Sequence, residues 1–139
     1  MTRVEFYFNV SSKLEKIAEL SEKALAKGRQ LTIFSLDTKV NSDLQARFWQ
    51  HSSTSFLPSN LADEAHAKFA PIILDRQGEN LLQDDILINL QTEPPLFFGR
   101  FRYLVELVGH DEADKTAART RFRFYKDRGY EVKSTDDAV

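Results

Sequence analysis

Between Val4 and Leu36 the hydrophobic period switches from two to 3.6 and back, and this alternation constrains the fold more than any other feature of the chain. Val4-Glu5-Phe6-Tyr7-Phe8 is short, aromatic and β-branched, and reads as a strand whose Phe6, Tyr7 and Phe8 belong to the core. Ser12-Lys13-Leu14-Glu15 follows as a capping box, in which the Ser12 hydroxyl and the Glu15 carboxylate satisfy opposite orphan amides. Leu14, Ile17, Ala18, Ser21, Ala24 and Leu25 then recur at helical spacing, and Gly28 supplies a left-handed stop. Leu31-Thr32-Ile33-Phe34-Ser35-Leu36 is a second buried strand. A second helix carries Val40, Leu44 and Phe48 on one face. Strand, helix, strand, helix is the order of a parallel α/β sheet.

Farther along, Pro71-Ile72-Ile73-Leu74 and Ile86-Leu87-Ile88-Asn89-Leu90 read as two more strands. The link between them, with Arg76-Gln77-Gly78, is too short for a comfortable helical crossover. A mostly parallel but mixed sheet is therefore expected, with an antiparallel member at one edge. Tyr103 to Val108 is a last core strand, and Asp111 to Arg128 a last helix closed by Gly129. Asp111, Glu112 and Asp114 at its start and Lys126 and Arg128 at its end suit the macrodipole. Residues 1–133 are expected to form one domain. The polar stretch 134–139 is expected to be a disordered, fraying tail.

Several chemistries are excluded. With 19 Lys+Arg against 21 Asp+Glu the net charge is −2, which argues against a dedicated nucleic-acid binder. The absence of cysteine removes disulfides, thiolate zinc sites and a cysteine nucleophile. No apolar run is long enough to span a membrane, and Met1-Thr2-Arg3-Val4-Glu5-Phe6 lacks the apolar core of a signal peptide, so a cytoplasmic protein is expected. A dinucleotide site needs glycines after the first strand, but that turn reads Asn9-Val10-Ser11-Ser12-Lys13. There is no GxxxxGK[ST] phosphate loop either, and Asp37 reads as a cap or turn residue. His51, His66 and His110 are scattered, Asp84-Asp85 has no recognisable partners for a cation, and no GxSxG elbow occurs. No metal, no cofactor and no catalytic residue are expected, and the chain reads as a non-enzyme.

Two clusters remain. On the last helix Lys115, Arg119, Arg123 and Lys126 fall within about an 80° arc. Ala113, Ala117 and Phe124 lie nearly opposite and are expected to face the sheet, while Phe122 and Ala118 border the basic arc. A basic stripe edged by an aromatic suits an acidic peptide with an apolar anchor, and a phosphate backbone less well. Helix geometry alone favours a simpler reading, a solvated basic face with Phe122 tucked against a loop. The second cluster is Trp49, turned about 100° from Phe48, with Phe56-Leu57-Pro58. Such groups anchor interfaces or seal a core edge, and the sequence does not separate the two.

Phe6-Tyr7-Phe8, then Trp49 with Ser55 to Leu61, then Ile86 to Leu90, Val105 to Val108, and Ala118 to Tyr125 closed by Gly129-Tyr130 occur in one order. In order, spacing and length the chain resembles the chi subunit family of bacterial DNA polymerase III holoenzyme, from Val4 to about Val132. The resemblance implies a single-domain, Rossmann-like three-layer α/β fold with helices on both faces and no bound nucleotide. It implies a non-catalytic accessory that joins the clamp-loader complex through the psi subunit. The same resemblance implies binding to the acidic, phenylalanine-ended tail of single-stranded DNA-binding protein, so that DNA is met only indirectly. Carried over by position, the tail site falls on Val108, Lys115, Arg119, Phe122 and Arg123, and the psi surface on Trp49, Phe56, Leu57 and Pro58. Lys115, Arg119 and Arg123 would pair with tail carboxylates, and Val108 and Phe122 would line the slot for the terminal ring. Phe122 stands where a tyrosine is expected and Ser59 where a histidine is often found. The alternative function is a direct single-stranded nucleic-acid-binding α/β module, which would need aromatics along a groove and a broader positive field.

Overall fold

The computed structural model describes residues 2–49, 59–61, 72–75 and 84–137. In chain order the elements are β1 (Arg3–Phe8), α1 (Lys13–Ala26), β2 (Leu31–Phe34), α2 (Thr38–Trp49), β3 (Ser59–Leu61), β4 (Ile72–Asp75), β5 (Ile86–Asn89), β6 (Tyr103–Leu107), α3 (Glu112–Asp127) and β7 (Val132–Asp136). A 3₁₀ turn, Phe98–Arg100, precedes β6.

Local chemistry sets the helix ends. The Ser12 hydroxyl accepts the Glu15 N–H at 3.3 Å and caps α1. At the other end Gly28, at φ +70°, donates to Leu25 O at 3.0 Å while Arg29 donates to Ala24 O at 2.8 Å. Helix α3 stops in the same way: Gly129, at φ +86°, donates to Lys126 O and Tyr130 to Tyr125 O. This paired closure satisfies the last carbonyls and needs a left-handed residue, which is why glycine stands at both positions.

The strands lie in the order β3-β4-β2-β5-β6-β1-β7, and every neighbouring pair is parallel. The expected antiparallel member is absent among the described strands. β4 and β5 are not neighbours, because β2 lies between them and is parallel to both. The return from the end of β4 to the start of β5 needs only about 16 Å, and the ten-residue link 76–85 can reach about 33 Å, so no helix is required.

The crossovers through α1 and α2 run toward β3, whereas the one through α3 runs from β6 past β1 to β7. Right-handed crossovers in opposite directions leave their helices on opposite faces. One face is covered by Ile17, Ala18, Leu44 and Phe48 of α1 and α2, packed with Ile33, Leu74, Ile88 and Leu107. On the other, Ala118 and Tyr125 of α3 meet Val4, Phe6, Leu87 and Leu104, with Phe98 and Phe101 closing the end. The architecture is a three-layer, Rossmann-like α/β fold.

Two expectations are corrected here. Ser134, Thr135 and Asp136, expected to fray, form the second half of β7 along the outer edge of β1. Asn9, itself at φ +60°, holds Asp136 at 3.0 Å, and buried Lys16 pairs with Asp137 at 2.8 Å. The sheet-facing arc of α3 is also not Ala113, Ala117 and Phe124: Ala113 is exposed, the other two are only half-buried, and the buried residues are Ala118, Arg121 and Tyr125. The arc is turned by a buried arginine, which a count of apolar positions assigns to solvent.

Candidate functional site: a groove beside the last helix

Glu106 is wholly buried in the middle of β6 and meets the buried Arg121 guanidinium at 3.1 Å. Tyr125 Oη donates to the same carboxylate at 2.5 Å, and Asn89 Nδ2 approaches it at 3.1 Å. Arg121 also donates to Thr92 O at 2.9 Å, so the network ties α3 to the sheet and to the segment after β5. Burial raises the Glu106 pKa against the lowering pull of Arg121. Burial, then the Glu106 charge, drive Tyr125 far upward, so its hydroxyl stays a donor.

This network fixes the rotation of α3, and with it the place of the basic stripe. The stripe flanks the buried arc instead of opposing it, and so lies beside Phe6 and Phe8 of β1 and Ser134 of β7. The result is a groove of about 680 Å³. Phe6, Phe8, Val108, Ala118 and Phe122 give it an apolar lining, and Lys115, Arg119, Arg123 and Lys126 supply four cations. Asn9 and Ser134 also line it, and among the described residues no acidic side chain contributes. The Phe122 ring packs 5.3 Å from that of Phe6, with Lys126 Nζ 5.9 Å above it. Lys115 is loosely paired with exposed Glu112 at 3.9 Å, whereas Arg119 and Arg123 have no ion pair among the described residues.

All five residues of the sequence-derived tail site (Val108, Lys115, Arg119, Phe122 and Arg123) line this one groove. The reading of Phe122 as tucked against a loop is replaced by its contact with Phe6. Sequence reasoning missed Phe8, which is half-buried at the groove, and Ser134 of β7. It also missed the Glu106–Arg121 pair. The signal for that pair was present: a lone carboxylate inside the apolar run 103–108, and a lone arginine at helical spacing between Ala118 and Tyr125. Of the second cluster, Trp49 ends α2; its side chain and Phe56, Leu57 and Pro58 lie outside the described residues.

Nucleotide-binding proteins of Rossmann-like topology place phosphate where connections leave adjacent strands for opposite faces. Here that crevice, between the ends of β1 and β6, is lined by Val10, Ser11, Lys13, Gly109, His110 and Asp114. Two of its anion-binding groups are already engaged, since Asp114 accepts the Gly109 N–H at 2.7 Å and pairs with Lys13 at 3.0 Å. Burial raises the Asp114 pKa, but those two partners outweigh it and hold the group ionised below its usual range. The crevice thus presents a carboxylate, a group that repels a phosphate. Among the described residues no cluster of His, Asp and Glu could hold a metal ion, and no helix is long and apolar enough to cross a membrane.

Residues 1–133 match the family model described as DNA polymerase III chi subunit, HolC. Curated relatives named DNA polymerase III subunit chi include that of Pseudomonas aeruginosa, 36% identical over 96% of this chain and 95% of its own length. Those of Haemophilus influenzae, 31% identical at 94% coverage of both, and Escherichia coli, 28% identical at 90% and 86%, are further matches. Among solved structures, the C-terminal domain of S. cerevisiae Dbp5 superimposes with a TM-score of 0.63 at 11% identity, covering 99% of this chain and 92% of that one. At that identity the likeness shows the shared fold alone.

Proposed function

The chain belongs to the chi-subunit family of DNA polymerase III, and on that premise we propose that it is a non-catalytic connector that binds the acidic C-terminal tail of single-stranded DNA-binding protein. The observation that carries this reading is the groove beside α3: an apolar floor flanked by four cations of that helix and, among the described residues, lined by no acid. A short peptide bearing carboxylates and ending in an aromatic ring complements it. The ring fills the slot between Phe6, Val108 and Phe122, and the carboxylates meet Lys115, Arg119 and Arg123. Replacement of tyrosine by Phe122 keeps the ring contact and forgoes one hydroxyl.

Such a peptide buries less than the ~1,200 Å² of a standard interface, so a micromolar-class contact is expected. Exposed ion pairs contribute about 0.2–1 kcal/mol each, while the buried ring is the anchor. An oligomer displaying several tails turns weak single contacts into useful avidity. The second partner is the psi subunit, met through Trp49, Phe56, Leu57 and Pro58, which carries the protein into the clamp loader.

The test is Arg123→Glu. The variant should lose tail affinity by at least tenfold, with a thermal midpoint within about 2 °C of wild type, because Arg123 is exposed and makes no ion pair among the described residues. Unchanged affinity in a folded variant would contradict the assignment.

A further inference from the structure

One edge of the sheet, β7, runs beside the groove. The ladder between β1 and β7 is anchored by Val4 N–H on Glu131 O and by Asp137 N–H on Phe8 O. With Val4 opposite Val132 and Phe6 opposite Ser134, the parallel pattern engages Glu131, Lys133, Thr135 and Asp137 with β1. The N–H and C=O of Val132 and Ser134 therefore point outward, and among the described residues they have no partner. The Ser134 side chain shares the face of Phe6 and lines the groove.

Terminal edge strands are commonly short or frayed, but this one is tied down by side-chain contacts. Asn9 binds Asp136, Lys16 binds Asp137, and Thr135 Oγ1 donates to Glu5 at 3.2 Å. Those contacts face β1 and α1 and leave the outer edge clear. We propose that an acidic, aromatic-ended peptide bound in the α3 groove adds to β7 as an eighth strand, its backbone pairing with Val132 and Ser134. This inference rests on the tail reading of the groove. Charge complementarity selects the occupant: alternate side chains of an added strand project onto the α3 face, where Lys115, Arg119, Arg123 and Lys126 stand. Main-chain pairing supplies affinity that does not depend on each tail residue, while the cations and the ring slot supply specificity.

The experiment uses the full chain and the C-terminal tail peptide of the cognate single-stranded DNA-binding protein, N-methylated at one amide at a time. In strand addition only every second peptide N–H faces β7, so affinity should fall about three- to tenfold at alternate positions and little between them. In parallel, Ser134→Pro removes the outward N–H of β7 without touching the β1 ladder, a place where edge strands accept proline. It should bind three- to tenfold more weakly than Ser134→Ala, at a comparable thermal midpoint. A tail that still binds and still depends on Arg123, but shows no alternation on N-methylation, would overturn the eighth strand and leave the tail reading standing. Failure of the unmodified tail to bind wild-type protein would overturn both. If Ser134→Pro does not fold, the methylation pattern on wild-type protein decides.

Discussion

Arg121 shows how one residue can govern a site it does not line. Its charge is buried with Glu106, and removing one partner leaves the other uncompensated in the core. Arg121→Ala should cost about 3–5 kcal/mol, a drop of ~10 °C or more in the midpoint of a thermal melt. A Glu106→Gln/Arg121→Met double variant should recover a large part of that loss, since the cost lies mainly in the unpaired charge. A double variant as unstable as the single one would assign the loss to packing instead. At the opposite end of the sheet, Arg29 forks onto Asp85, with Nε–Oδ2 at 3.0 Å, and stacks over Tyr103. The bond to Arg29, and after it the Gln30 N–H, hold the Asp85 carboxyl below its ordinary 3.8 despite partial burial. The unfolded chain therefore takes up this proton at higher pH than the folded one. Stability from Asp85 is present in full above about pH 5 and is lost as pH falls through 3.8 toward the folded value. Asp85→Asn should flatten that part of the acid limb in a series of denaturant titrations; an unchanged slope would contradict it.

At the scale of elements, what was legible in the sequence was whatever local chemistry dictates. Ser12, Gly28 and Gly129 marked helix ends because orphan N–H and C=O groups accept few solutions. A methyl added at Gly28 or Gly129 would meet no atom within 4 Å, so Gly→Ala at either should cost about 1 kcal/mol through backbone strain alone. Two such variants with equal and additive losses in a chemical melt would fit; no loss would mean the stops are set elsewhere. Strand β7 was illegible because Val132-Lys133-Ser134-Thr135-Asp136 buries almost nothing: it is a strand for its hydrogen bonds to β1, not for any apolar face. The expectation of an antiparallel edge strand failed for a related reason. Closeness in sequence does not reveal that β2, joined to neither by a short link, lies between them. The face of α3 was misjudged because its rotation depends on Glu106, a residue of another element.

For the whole molecule, the crevice between the ends of β1 and β6 holds Asp114 bound to Gly109 and Lys13, while a groove opens on the other side of α3. Nucleotides at millimolar concentration should therefore leave the melting temperature unmoved, and a rise of several degrees would contradict the plugged crevice. The five groove residues were legible because family resemblance and helical spacing point to the same face, but Phe8 and Ser134 were not, since they depend on how β1 and β7 lie under α3. The central claim is that this groove reads an acidic tail ending in an aromatic ring. Its most direct test is a fluorescence-anisotropy titration of the protein with the tail peptide of its cognate single-stranded DNA-binding protein, at low and physiological salt, beside a peptide lacking the terminal phenylalanine. Saturable binding that weakens with salt and vanishes without the phenylalanine is the predicted result. No binding at low salt, or equal binding of the truncated peptide, would contradict it.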